Sequence, residues 1–240
     1  MRKLVVIVFL VVSGVVSGQS VTGTSGLIHI PSARMLEDGQ LVLGAAFIPK
    51  PYFISTSGYN MYQRKADGLN TYITYGILPF AEVMFRYTHE LGAKVNVDSR
   101  YFPDRMLSLR FRLLKEKNFI PSIVIGLHDI SSITGETSKA ASFNIANYIV
   151  ISKSVNFEFG NIDITTGHTF DIGNHISKDL NGFFGGLKIN FKSFKFLDFN
   201  FEYDTSNYNL GLNLRPIKPI NLMIGIWDLN KPTFSFNYLF

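Results

Sequence analysis

The chain contains no cysteine among its 240 residues. A disulfide framework, a thiol nucleophile and a cysteine zinc site are therefore excluded. So is a bacterial lipoprotein anchor, which needs a lipidated cysteine. Charged residues make up only 17%, below the roughly 25% usual for soluble proteins. There is one tryptophan. Beyond residue 20 no uninterrupted apolar run approaches the ~18 residues of a membrane helix. Lysine and arginine form no run, and no Gly-x-Ser-x-Gly turn occurs. Without Arg2 and Lys3 the 23 basic residues fall to 21 against 18 acidic ones, a net charge of +3. That balance does not point to a nucleic-acid partner.

What is present is apolar and dispersed. Hydrophobic residues reach 46%, with 22 Phe and 11 Tyr. The N-terminus concentrates them once. Arg2 and Lys3 precede an apolar core, Leu4–Val12, and small residues, Val16-Ser17-Gly18, follow before Gln19. This order predicts a secretory signal peptide over residues 1–20, cleaved near Gly18 or Ser20. The alternative is a membrane anchor helix, for which the run is short. Residues 21–39 are broken by Gly23, Gly26, Pro31 and Gly39, so neither a long strand nor a long helix is expected there. A single helical turn over Ser32–Asp38, capped by Ser32, is the local expectation. The segment is a candidate periplasmic or plug-like element.

From residue 40 to 240 the pattern alternates at period two, as strands do. Val83, Phe85 and Tyr87 oppose Glu82, Met84, Arg86 and Thr88. Leu107, Leu109, Phe111 and Leu113 oppose Ser108, Arg110 and Arg112. Phe199, Phe201 and Tyr203 oppose Asn200, Glu202 and Asp204. Residues 157–168 fit worst, because Asn161 and Asp163 share the parity of Phe157 and Phe159; a bulge is expected there. About 12 strands follow, of roughly 8–11 residues, the length a tilted membrane strand needs. Connections over 49–68, 90–105, 130–142 and 169–181 are long. Those over 78–81, 115–120, 153–156 and 192–197 are short. Long outer loops and short inner turns characterise membrane barrels. The fold class is all-β: one antiparallel up-and-down transmembrane barrel. A soluble periplasmic β-protein is the structural alternative.

The last strand is Thr233–Phe240. Phe234, Phe236, Tyr238 and Phe240 share one face. It resembles the closing strand of bacterial outer-membrane barrels, which implies that Phe240 is a signal for the barrel-assembly machinery.

Two stretches resemble a particular family. Gly26–Gly39, GLIHIPSARMLEDG, looks like the opening motif of YjbH-type proteins, through Pro31, Ala33, Arg34 and Gly39. Leu107–Lys153 is similar in order to that family's strand, Pro-initiated strand ending in Gly-x-x-Asp, and strand ending in Ser-Lys. The matching residues are Pro121, Gly126, Asp129, Ser152 and Lys153. Together they span about the first two thirds of the mature chain. Asn147 departs from the pattern, standing where an acid commonly precedes the tyrosine. The chain is also shorter than the long members of the family. The resemblance implies a non-enzymatic outer-membrane barrel linked to exopolysaccharide production or export. Its partners would be outer-membrane lipid, the assembly machinery, and exopolysaccharide with its export proteins. No cofactor is implied.

The polar parity supplies the candidate lumen residues: Glu82, Arg86, Arg110, Arg112, His128, Lys188, Glu202, Asp204 and Arg215, with Glu158 beside them. A charge on the lipid face costs roughly 2–4 kcal/mol near the midplane for Arg or Lys, which assigns these residues inward. Arg110 and Arg112 near Glu82 would form an ion-pair network. Two readings of it stand: a filler that rigidifies a narrow barrel, and a selectivity lining for an anionic solute or sugar polymer. A solute channel and a lipid hydrolase are the competing functions. The hydrolase would use His128 with Ser131 or Ser132, but adjacent strand positions point to opposite faces. The five histidines have no metal spacing, although His168 and His175 flank a loop that carries Asp171. Gly182–Gly186, GFFGG, lacks the Lys-Ser/Thr of a phosphate loop and reads as a strand bend.

Overall fold

The computed structural model describes residues 18–57, 62–91, 104–130, 145–172, 177 and 179–240. The predicted signal peptide lies outside them, apart from its last residues, 18–20. The strands are β1 (Leu41–Ser57), β2 (Tyr62–Leu78), β3 (Ala81–Leu91), β4 (Asp104–Leu114), β5 (Ser122–His128) and β6 (Ala146–Asn156), then β7 (Gly160–Thr169), β8 (Phe183–Phe191), β9 (Leu197–Tyr203), β10 (Tyr208–Leu214), β11 (Ile220–Trp227) and β12 (Lys231–Leu239). Each is antiparallel to its sequence neighbours, and β1 closes the barrel on β12. Closure pairs β1 with β12 from Val42 to Phe47, so the ring of strands has no open seam, as a wall in lipid requires.

The period-two pattern decides inside from outside. On β12, Phe234 and Phe236 are 54% and 47% exposed, whereas Thr233 and Asn237 are 0%. Ile73, Phe85, Leu113, Phe199, Leu210 and Ile224 are exposed in the same way around the wall. A continuous apolar outer belt over a polar interior is the arrangement of a barrel whose solvent is lipid. The C-terminal Phe240 stays in the closing ladder: its N–H donates to the Leu41 carbonyl at 2.8 Å.

Two expectations change. Residues 49–57 and 62–68, expected in a loop, are strand. β1 and β2 run 17 residues each, past a register shift between Ile48 and Phe53. At about 3.3 Å per residue this hairpin is roughly 56 Å long, well beyond the 9–11 residues that cross a bilayer. Nor does β7 carry a bulge. Phe157 and Phe159 belong to the turn, closed by the Phe157 N–H on the Gly160 carbonyl at 2.8 Å. The β6–β7 ladder is continuous from Asn156↔Asn161 to Tyr148↔Thr169. The parity conflict arose because residues of the turn were counted as strand. Glu158 sits in that turn, exposed, and not in the lumen.

The two rims differ. One carries residue 40, Phe240 and the connections after β2, β4, β6, β8 and β10; it is called the turn rim. The other carries the connections after the odd-numbered strands and β12's start; it is called the loop rim.

Candidate functional site

The lumen is filled by the chain's own N-terminal segment. Residues 18–40 fold inside the ring of strands. A bridge pairs Gln19 with Ser25, and a second pairs Gly26 with Pro31. The Val21 N–H donates to the Ile28 carbonyl at 2.7 Å, and the Leu27 N–H to the Ile30 carbonyl at 3.0 Å. The chain then descends toward the turn rim without the expected helical turn at Ser32–Asp38. Its backbone bonds go to barrel side chains instead, which outcompete an isolated turn.

Packing explains why the segment stays. Val21 and Ile28 pack with Ala46, Tyr72, Met84, Met106, Met223 and Trp227. Leu27, Ile30, Ala33 and Met35 pack with Val124, Tyr148, Val150 and Phe184. A water-filled lumen would leave these inward methionines, valines and rings wet. Burying one such side chain contributes about 1.5–3 kcal/mol. Gly186 belongs to this packing: a Cβ there would stand 2.7 Å from Leu27 Cδ2. The glycines of GFFGG therefore do more than bend β8. Gly186 leaves room for the inner segment.

Two buried carboxylates hold the backbone. Glu202 accepts from the N–H groups of Ile28 at 2.9 Å, His29 at 2.7 Å and Ile30 at 3.4 Å, and from Asn209 Nδ2 at 2.9 Å. Glu82 accepts from the Leu36 N–H at 2.9 Å and the Ser25 hydroxyl at 3.2 Å, and pairs with Arg110 at 2.8 Å. Arg110 donates onward to the Ser32 and Arg34 carbonyls. The predicted Glu82–Arg110 pair is present. Arg112 is not part of it; it donates to the carbonyls of Pro79 at 2.9 Å and Met35 at 3.5 Å nearer the turn rim.

Four of the residues that carry the family resemblance, Ala33, Arg34, Ser152 and Lys153, meet at the descending arm. The Ala33 N–H donates to Ser152 Oγ at 2.8 Å, and its carbonyl accepts from Ser122 Oγ at 2.9 Å, one residue after Pro121. Arg34 bridges Glu116 at 2.5 Å and Asp163 at 2.8 Å, and Lys153 reaches Glu116 at 2.9 Å from β6. Burial works to raise the Glu116 carboxyl. The bonds from Lys153, the Ser154 N–H and Arg34 outweigh it and hold Glu116 below its usual range. Gly39 turns the chain into β1 with φ of 80°, and its N–H donates to the Gly76 carbonyl at 2.8 Å. Gly126 lies under the Tyr148 ring, and Asp129, with φ of 56°, ends β5. The sequence does not mark Glu116, Ser122 or Asp163: Glu116 lies in the β4–β5 connection, Ser122 opens β5, and Asp163 shares the parity of two turn phenylalanines.

The tip faces the loop rim. His29 Nε2 lies 3.0 Å from Asp179 and Nδ1 3.1 Å from Asp204. Its ring lies 4.5 Å from Trp227, which stacks on Tyr52 at 4.9 Å. Burial alone would lower the His29 pKa. Asp179 and Asp204 reverse this and raise it well above its usual value. Asp204, pushed up by burial, is held down to about 2 by His29, Asn209 and the Asn207 N–H. Arg86 shares a small chamber of about 40 Å³ with His29 and Asp179.

The remaining candidates are inward but scattered. His128 is fully buried, with Nε2 3.2 Å from the Tyr148 hydroxyl. Ser131 and Ser132, its proposed hydrolase partners, lie outside the described residues. Lys188 and Arg215 meet at Asp198, at 3.8 and 2.5 Å. Asp198, which shares the parity of Glu202, is a further buried inward carboxylate. His168 faces outward and His175 lies outside the described residues. Among the described residues no three His, Asp or Glu side chains are grouped to hold a metal.

Comparison with known proteins gives one family. The YjbH family model, described as exopolysaccharide biosynthesis protein YbjH, matches residues 18–176. That span runs from the start of the inner segment to the loop after β7. No curated protein matches. Among solved structures, the chain is similar to Ail, the attachment invasion locus protein of Yersinia pestis, crystallised with the heparin analogue sucrose octasulfate. The identity is 10% and the TM-score 0.19, over 85% of this chain and 99% of that one.

Proposed function

We propose a function from one premise: the chain belongs to the YjbH family. It is a non-enzymatic outer-membrane barrel that supports exopolysaccharide biosynthesis or export, with residues 21–39 acting as its plug. The carrying observation is that Ala33 and Arg34 of the inner segment dock onto Ser122, Ser152, Glu116 and Asp163 of the wall. The stretches that carry the family resemblance are thus spent on seating a plug. The apolar outer belt supports placement in a membrane, and a secreted chain of this kind reaches the bacterial outer membrane. The turn rim, with both ends of the barrel chain, faces the periplasm. Phe240 in the closing ladder is available as the assembly signal. A constantly open solute channel is disfavoured by the apolar packing that fills the lumen. A hydrolase is disfavoured because His128 is sealed against Tyr148.

The test is deletion of the gene in its own bacterium, with surface and secreted carbohydrate measured. Loss of exopolysaccharide, restored by the wild-type gene and poorly by Arg34→Ala, is the expected result. Unchanged exopolysaccharide in the deletion strain overturns the proposal. Fractionation tests the location separately: the unboiled protein should run as a compact band from the outer-membrane fraction.

A further inference from the structure

Between the descending arm and the turn rim the lumen opens into a cavity of about 900 Å³, within the ~300–1,000 Å³ range of ligand sites. Seven cationic side chains line it against three carboxylates. Arg34 is committed to Glu116 and Asp163, and Lys188 and Arg215 to Asp198. The other four, Arg112, Lys115, Lys192 and Lys195, have no carboxylate within ion-pair distance among the described residues. Lys115, Lys192 and Lys195 are exposed on the β4–β5 and β8–β9 connections; Arg112 is half-buried deeper in. Glu37, the remaining carboxylate of the lining, attracts Arg112 from beyond ion-pair distance and leaves the four with a net positive charge, and such an excess against a low-dielectric wall focuses the field and draws in anions. Neither the plug nor the barrel closure uses the three lysines.

The remaining lining narrows the chemistry. Asn161 Oδ1 is buried without a hydrogen-bond partner, an acceptor in need of a donor. Asn156, opposite it on β6, adds an exposed amide to the same lining. Cations for carboxylates and amide groups for hydroxyls are the complement of an acidic glycan. The cavity lies inside the ring of strands, away from the outer apolar belt, so a bilayer headgroup has no route to Arg112. We propose that this turn-rim vestibule is a binding site for a segment of acidic polysaccharide, one carrying uronate-type carboxylates. The proposal rests on the exopolysaccharide reading above and adds the ligand's charge and the place where it docks.

The experiment uses the full mature barrel in zwitterionic detergent, titrated calorimetrically with galacturonic acid oligomers. Maltose-type neutral oligomers of the same length and phosphatidylglycerol micelles are the comparison ligands. The uronate oligomer should bind and the neutral one should not. Affinity should fall about tenfold or more between about 50 and 300 mM salt, as screening of exposed charges requires. Replacing Lys115, Lys192 and Lys195 together with Gln should weaken binding by about tenfold through lost electrostatic attraction, with the compact unboiled band intact. Arg112→Gln should add to the loss, and Arg112→Lys should retain binding. Equal binding of neutral oligomers, unchanged binding by the triple variant, or binding of phosphatidylglycerol alone each overturns the site. A site that binds uronate in a protein whose deletion leaves exopolysaccharide unchanged would leave the vestibule standing and the functional reading lost. The reverse pairing would do the opposite.

Discussion

Glu82 Oε1 and Arg110 Nη1 lie 2.8 Å apart, directly opposite each other on β3 and β4, both removed from water. Both also bind the inner segment, so wall and plug share one buried ion pair. Removing one partner of such a pair typically costs about 3–5 kcal/mol, because the other charge remains buried and unpaired. Glu82→Gln should therefore lower the temperature at which the compact barrel band converts to the unfolded one. Arg110→Met should do the same. The double variant should lose less than the two losses added, since neither charge is then stranded. Strict additivity would mean that the pair is not coupled.

The wall was legible in the sequence because lipid demands a period of two. Phe234, Phe236 and Phe240 declared the outer face on their own, and Glu82, Arg110 and Glu202 the inner one. The plug was legible only as a candidate. Its residues alternate with no period, and its seat is built from single side chains on distant strands. Ser152 and Glu116 gain their meaning from Ala33 and Arg34, more than eighty positions away. Asp163 was misplaced by counting Phe157 and Phe159 as strand, when both belong to a turn. The long β1–β2 hairpin was hidden because its outer half, beyond the apolar belt, is under no constraint to alternate.

His29 titrates beside the chain's single tryptophan. The raised His29 pKa contributes stability that is complete below its ordinary 6.5 and lost as pH rises through the raised value. The lowered Asp204 contributes stability that is complete above its ordinary 3.8 and lost as pH falls toward about 2. The tip should thus be held between these limits. An imidazolium 4.5 Å from Trp227 quenches its fluorescence. Emission should rise with a midpoint above 6.5, and His29→Asn should remove the titration. A midpoint at or below 6.5 would mean that Asp179 and Asp204 do not clamp the ring.

Arg34 ties the descending arm to two carboxylates. Arg34→Ala leaves Glu116 paired to Lys153 but frees the arm from Asp163. In planar bilayers the wild-type barrel should conduct poorly, because residues 18–36 fill its bore. Arg34→Ala should raise the frequency of brief openings several-fold. Deletion of residues 21–36 should give persistent conductance. A deletion that conducts no better than wild type would show that the loops at the other rim, and not the plug, close the pore.

Gly76 tests how closely the arm approaches the wall where it leaves the lumen. A Cβ at this position would stand 2.1 Å from the Glu37 carbonyl oxygen, backbone that has no rotamer to move aside. The Gly76 carbonyl also accepts the Gly39 N–H, and the Gly76 N–H donates to the Gln40 carbonyl at 2.9 Å. Gly76→Ala must therefore push residues 37–40 away from β2 and stretch both bonds. Overpacking of this kind costs about 1–3 kcal/mol. The compact band should survive with a lowered melting point, and protease should gain access to the chain near Glu37. Should the variant instead fail to form the compact band at all, the turn at 37–40 would be needed for closure of β1 on β12, where the Leu41 carbonyl and Phe240 N–H meet.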